Sequence, residues 1–132
     1  MRKTTTNATY DIQYHFVWIP KYRKRILTGK IKDRVKELIE QCSEINGFEV
    51  MELNIQSDHV HLLLSAKPRF SPAAIMHVIK GGTSKKIREE HPELEEFLWG
   101  DSLWADGYFV STHSKVTEDI IKTYIQRQDE DR

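Results

Sequence analysis

The chain has 132 residues, enough for one domain that buries its own core without disulfide support. Its 20 Lys and Arg balance 20 Asp and Glu, and this formal net charge of zero argues against a generic polyanion-coating protein. A single cysteine, Cys42, excludes an internal disulfide and a cysteine-rich zinc site. The longest uninterrupted apolar run, Phe16 to Ile19, falls far short of a membrane span. The basic N-terminus has no apolar stretch behind it, so the expectation is a soluble cytoplasmic protein.

Tyr10 to Ile19, rich in aromatic and β-branched residues and closed by Pro20, predicts a strand. Ile31, Val35, Leu38, Ile39, Cys42 and Ile45 fall at helical spacing, with Asn46-Gly47 as the stop. Phe48 to Gln56 alternates as a strand, with Phe48, Val50, Glu52 and Asn54 on one side and Glu49, Met51, Leu53 and Ile55 on the other. After a tight break at Ser57-Asp58, His59 to Ala66 forms the second arm of a hairpin. Ser71-Pro72 reads as an N-cap and first helical turn, opening a helix that runs towards His91-Pro92. Gly81-Gly82 inside it implies close approach of another backbone or a phosphate. Leu103 to Thr112 reads as a last strand region broken near Asp106-Gly107. A final helix opens near Thr117, where Glu118 and Asp119 favour its dipole. This order is that of a ferredoxin-like α+β sandwich, an antiparallel sheet with two helices on one face, plus a C-terminal helix. One domain spanning 1–132 is expected.

The zero net charge conceals an uneven distribution. Residues 1–36 carry ten basic and two acidic side chains, whereas residues 89–101 carry six acidic and no basic ones. Lys21, Arg23, Lys24 and Arg25, interleaved with Tyr22, suit phosphate contact combined with base stacking. A set of solvated faces is the plainer reading. The expectation is that a phosphate backbone follows Lys21 to Arg25 and the region of Lys80, Lys85 and Lys86, with the acidic stretch facing elsewhere.

Asp58-His59-Val60-His61-Leu62-Leu63-Leu64 is the most informative segment. Residues two apart on a strand share a face, so His59 and His61 project together while Val60, Leu62 and Leu64 enter the core. The pair can share a metal ion or can be two hydrogen-bonded structural histidines. In the last helix Tyr124 and Gln128 are four apart and lie on one face, with Ile121 and Ile125 as a docking stripe. Two imidazoles and an amide oxygen would leave a divalent cation its charge to polarise a phosphodiester oxygen. A nearby tyrosine could then attack phosphorus, and the covalent phosphotyrosine would conserve the bond energy for rejoining.

With Tyr14-His15-Phe16-Val17-Trp18-Ile19-Pro20-Lys21-Tyr22-Arg23, Asp58-His59-Val60-His61, Ile79-Lys80-Gly81, Leu103-Trp104, Gly107-Tyr108-Phe109, and Tyr124 with Gln128, the chain resembles the single-tyrosine (Y1) HUH transposases of the IS200/IS605 insertion sequences. By that resemblance His59, His61 and Gln128 match metal ligands for Mg2+ or Mn2+, and Tyr124 matches the nucleophile. The resemblance further implies single-stranded DNA with hairpins at element ends as substrate, a 5′-phosphotyrosine intermediate, and a homodimer with composite active sites. The lead-in from Ser111 to Val116 lacks glycine, which would stiffen any hinge of the tyrosine helix.

A domesticated palindrome-associated transposase-like protein, a replication initiator or a relaxase would share the histidine motif. A noncatalytic ferredoxin-like module that binds nucleic acid would need neither metal nor tyrosine. His15 and His77 read as structural, and His91 as a helix-end cation. His113 lies close enough to the tyrosine helix for a site role. Trp18, Trp99 and Trp104 read as core or dimer-interface residues, and Cys42 as an inert core residue.

Overall fold

The computed structural model describes residues 2–5, 7–112 and 115–130. Its centre is a four-stranded antiparallel sheet built from β3 (Gln13–Trp18), β4 (Glu49–Gln56), β5 (His59–Ser65) and β6 (Phe109–Ser111) in the spatial order β4-β5-β3-β6. A small hairpin of β1 (Lys3–Thr4) and β2 (Thr9–Tyr10) precedes it. The helices are α1 (Gly29–Ile45), α2 (Pro72–Glu90), the single turn α3 (Glu95–Leu98) and α4 (Glu118–Glu130). Counting only the four central strands, the second lies outside the third and the fourth outside the first. This is the ferredoxin-like α+β arrangement expected from the element order.

The sheet separates two unequal layers. On one side Phe16, Trp18, Val60, Leu62 and Leu64 pack against Val35 and Ile39 of α1 and Ile75, Met76, Ile79 and Ile87 of α2. Trp18 and Trp104 meet edge to face with ring centroids 5.8 Å apart, and the Trp104 indole donates to Thr83 Oγ1 at 2.8 Å. On the other side Val17, Ile19 and Ala105 bury Ile121 and Ile125 of α4. Strand β3 is therefore covered on both faces, which explains why Phe16 to Ile19 runs unbroken in apolar residues.

Local signals act where expected. Ser71 Oγ accepts from Ala74 N at 3.0 Å and caps α2 with Pro72 in its first turn. Helix α1 ends at Asn46, and Gly47 follows with φ of 73°. His91 pairs with Glu93 at 3.1 Å just past α2, and Cys42 is half-buried.

Four expectations change. A β-bulge between Val50 and Glu52 skips Met51, so strict alternation fails and Val50, Leu53 and Ile55 all turn inward while Met51 and Glu52 are exposed. The Gly81-Gly82 pair accommodates no close backbone within the chain. A Cβ at Gly82 would meet Cys42 Sγ at an ordinary 3.7 Å, and one at Gly81 would meet nothing within 4 Å. Of the two places offered for Trp99, the core is excluded: it is 84% exposed and left-handed at the end of α3. The acidic stretch does not face away from the basic residues but supplies their counter-charges: Asp101 pairs with Lys21 at 3.0 Å, Glu90 with Arg34 at 2.9 Å and Glu95 with Arg88 at 2.7 Å. His113 and Ser114, in the glycine-free lead-in to α4, lie outside the described residues. Among the described residues no helix is long and apolar enough to cross a membrane.

Candidate active site

His59 and His61 project from β5 onto the α4 side of the sheet, both half-buried, while Val60, Leu62 and Leu64 between and beyond them are sealed on the other side. Strand register sets their neighbours: His61 lies opposite Val17 of β3 and Asn54 of β4, and His59 opposite Gln56. A cleft of about 390 Å³ beside His59 is bordered by Arg23, Asp58, Glu118, Ile121, Lys122, Ile125 and Gln126.

Each histidine has one ring nitrogen engaged by a second side chain. His59 Nδ1 donates to Asp58 Oδ1 at 2.9 Å, and Asp58 Oδ2 accepts from Arg23 Nε at 3.1 Å. A carboxylate only accepts, so this chain fixes the proton on Nδ1 and leaves the Nε2 lone pair of His59 available. Burial pushes the Asp58 carboxyl up, but the bonds from His59 and Arg23 outweigh it and hold the group below its usual range. Arg23 is aimed by an unusual turn. Tyr22 and Arg23 are consecutively left-handed, with φ of 59° and 51°, and the turn is tied down by Lys21 N to Leu103 O at 2.8 Å. A non-glycine residue in this region stores about 1–3 kcal/mol of strain, here held by that anchoring.

His61 Nε2 lies 3.0 Å from His15 Nδ1, with the rings 5.3 Å apart between centroids. His15 is 4% exposed. Burial, followed by the neighbouring His15, holds His61 below the usual imidazole range.

Tyr124 sits elsewhere on α4. Its ring packs on Phe109 at 6.0 Å, and it borders a separate cavity of about 320 Å³ with Asp119, Ile120, Thr123 and Arg127. The hydroxyl is buried without a hydrogen-bond partner, and burial pushes its pKa up to about 12. The structure thus brings His59 and His61 to one face, and the Tyr124 hydroxyl hydrogen-bonds to neither. Gln128, one turn beyond Tyr124, is half-buried and is not among the α4 residues bordering the His59 cleft. Among the described residues, no three His, Cys, Asp or Glu side chains gather to hold a metal ion.

The basic residues are largely engaged within the chain. Lys21 pairs with Asp101, Arg23 with Asp58, and Lys24 Nζ lies 5.6 Å from the Phe97 ring centroid. Tyr22 and Arg25 are exposed. Lys80 donates to the carbonyls of Ala105 at 2.8 Å and Gly107 at 3.0 Å, and burial lowers its pKa, so this lysine clamps the loop before β6. Lys85 and Lys86 are exposed on α2, Lys86 within 3.9 Å of Glu89. Sequence reasoning missed Asp58, Arg23 and His15 as parts of the histidine site. The first is signalled by adjacency to His59; His15 is signalled only by its place on the α4-facing side of β3.

The chain is thus an antiparallel α+β sandwich with a histidine pair on a central strand, crossed on that face by a tyrosine-bearing helix. It belongs to the IS200-like transposase family, whose family model matches residues 8–128. It is 36% identical over 119 residues to the ISDra2 transposase TnpA of Deinococcus radiodurans, covering 90% of this chain and 85% of that protein. It is 29% identical over 126 residues to the IS200 transposase of Salmonella typhimurium, covering 96% and 82% respectively. A crystal structure from D. radiodurans assigned as a transposase superposes with a TM-score of 0.87 at 32% identity, covering 96% of this chain and 97% of that one. A REP-associated tyrosine transposase, solved bound to a REP hairpin, shares the fold with a TM-score of 0.57 at 12% identity, covering 95% of this chain and 68% of that one.

Proposed function

We propose that this transposase recognises hairpins in single-stranded DNA at insertion-sequence ends, cleaves beside them through Tyr124 and rejoins the strands. The observation that carries this reading is the placement of His59 and His61 on one strand face, each with one ring nitrogen engaged by a neighbour, on the side of the sheet that α4 covers. Such a donor pair fits a divalent ion. His59 and His61 would hold Mg2+ or Mn2+, with Gln128 as third donor, and the bound ion supplies Lewis-acid polarisation of a phosphodiester oxygen.

The chain's own groups do the rest. Asp58 and Arg23 keep the His59 ring in one orientation. Tyr124 attacks phosphorus: its Oη–P bond forms as the P–O3′ bond breaks, and the phenol's proton ends on the departing 3′-hydroxyl. The 5′ end stays on the enzyme as phosphotyrosine until another 3′-hydroxyl attacks and frees the tyrosine, so joining needs no nucleoside triphosphate. With a pKa of about 12 behind Phe109, the phenol must leave its burial before it reacts. Because Tyr124 borders a cavity other than the His59 cleft, the reading includes a homodimer in which α4 of one copy completes the histidine site of the other.

For DNA, a groove of about 810 Å³ between α2 and the loop before β6 carries His77, Lys85 and Arg88 beside Tyr108. It runs alongside the Lys80 clamp, and together with exposed Tyr22, Lys24 and Arg25 it offers contacts to phosphates and bases. Hairpin recognition draws support from the hairpin held by the REP-associated transposase of the same fold. The protein is expected to act in the cytoplasm, at the nucleoid.

Incubation of the chain with hairpin-bearing single-stranded DNA and Mn2+ tests the reading. A denaturation-resistant protein–DNA adduct is expected with the wild type and none with Tyr124→Phe, hairpin binding being retained. An adduct that survives Tyr124→Phe, or none with the wild type, overturns it. Mixing His59→Ala with Tyr124→Phe chains should restore part of the activity if the sites are composite, and none if each chain uses its own helix.

A further inference from the structure

Helix α2 carries two adjacent glycines, Gly81 and Gly82, in its interior, where glycine weakens a helix relative to alanine. Nothing within the chain requires one at Gly81. Its backbone is helical rather than left-handed, and a Cβ built there would meet nothing within 4 Å. Gly107, which borders the same groove, has a φ of 82° that accounts for its glycine by itself. Gly82 turns towards α1, where a Cβ would rest on Cys42 Sγ at 3.7 Å. Of the adjacent pair, Gly81 alone borders the groove of about 810 Å³ between α2 and the loop before β6.

Gly81 stands in the middle of one wall of that groove. Residues four apart on a helix share a face, and Ala73, His77, Gly81, Lys85 and Glu89 all line it. His77 and Lys85, one turn to either side, are exposed, and neither side chain pairs with another described residue. The remaining charged groups on the groove have partners: Lys80 the carbonyls of Ala105 and Gly107, Arg88 the carboxylate of Glu95, and Glu89 the ammonium of Lys86. A bare stretch of helix is thus flanked by an uncommitted cation and an imidazole. Any side chain at 81 would stand between them and hold an incoming strand away from the helix.

We propose that Gly81 is the clearance position for DNA: one phosphate of the hairpin backbone lies against α2 at Gly81, within reach of Lys85 and His77. The inference rests on the hairpin reading above and names the point of closest approach within it. A phosphate suits the place because both flanking groups donate hydrogen bonds, whereas Tyr108, the surface for stacking a base, belongs to the loop opposite. The Gly81 N–H is spent inside the helix, so this residue contributes room and not a hydrogen bond. Stability and binding therefore pull in opposite directions at this one position.

Fluorescence anisotropy tests this with a labelled oligonucleotide that folds into an imperfect hairpin, taken from the DNA flanking the chain's own coding sequence. Gly81→Ala should raise the melting temperature by about 2–5 °C, yet weaken hairpin binding about fivefold or more. Gly81→Leu, also a good helix former, should weaken binding further. Gly82→Ala should raise the melting temperature similarly and leave binding unchanged. Lys85→Ala should reduce the slope of log affinity against log salt by about 1. In a Gly81→Ala background it should change little, because the added methyl already holds the phosphate off. Unchanged binding in Gly81→Ala, an equal loss in Gly82→Ala, or full additivity of Gly81→Ala with Lys85→Ala overturns the proposal while the hairpin reading stands. A wild-type chain that binds no hairpin overturns that reading, and the inference falls with it.

Discussion

The two faces of the central sheet are built from the same strands yet do different work. Towards α1 and α2, β3 and β5 present Phe16, Trp18, Val60, Leu62 and Leu64, each fully buried in one continuous core. Towards α4 the same strands present His15, Val17, His59 and His61, and the buried apolar cluster there has five members. One face supplies stability and so frees the other to carry groups that packing alone would reject: paired imidazoles, a carboxylate and a buried phenol. A single-residue shift in the register of β5 would exchange the two sets, which is why register matters here more than any one contact.

Mutations can break this contrast from either side. The largest effect is expected from Tyr124→Phe, which should abolish covalent adduct formation on denaturing gels. It should also leave the melting temperature equal or raised, since it removes a buried, unpaired hydroxyl. Next, Trp18→Ala should destabilise the chain by about 3–5 kcal/mol in denaturant titration, through its cavity and lost contact with Trp104. Ile125→Ala, on the thinner face, should cost nearer the low end of the roughly 2–5 kcal/mol range for such truncations, because the surroundings of α4 are more exposed.

The smallest effect concerns pH. The carboxyl of Asp58 is held below its usual range, so its contribution is fully present above the unfolded-state pKa. That contribution fades as pH falls through the lower folded value. Stability of the wild type should therefore drop towards acid, and Asp58→Asn should flatten that part of the curve.

Much of this contrast is legible in the sequence. Strict alternation around His59 and His61 separates their face from the core, and the helical spacing in α1 and the Ser71-Pro72 cap set the other layer. The bulge at Met51 is not legible, because a single inserted residue leaves no compositional mark. Nor is the Arg23–Asp58–His59 chain, whose first member is 35 positions away and reaches the site only through two left-handed residues. The runs of opposite charge read as separate surfaces and prove to be partners, since folding brings 21 beside 101 and 34 beside 90. Only the family resemblance singles out Tyr124, and its burial against Phe109 depends on packing that spacing cannot express.

The attachment of α4 has a further consequence. Two side chains, Ile121 and Ile125, are its buried pegs. At about 1.5–3 kcal/mol each, they hold the helix with an energy that a modest ligand can match. The unpaired phenol subtracts from that grip. The helix is thus fastened like a latch: two apolar side chains close it, and lifting it would expose the Tyr124 hydroxyl in the same movement.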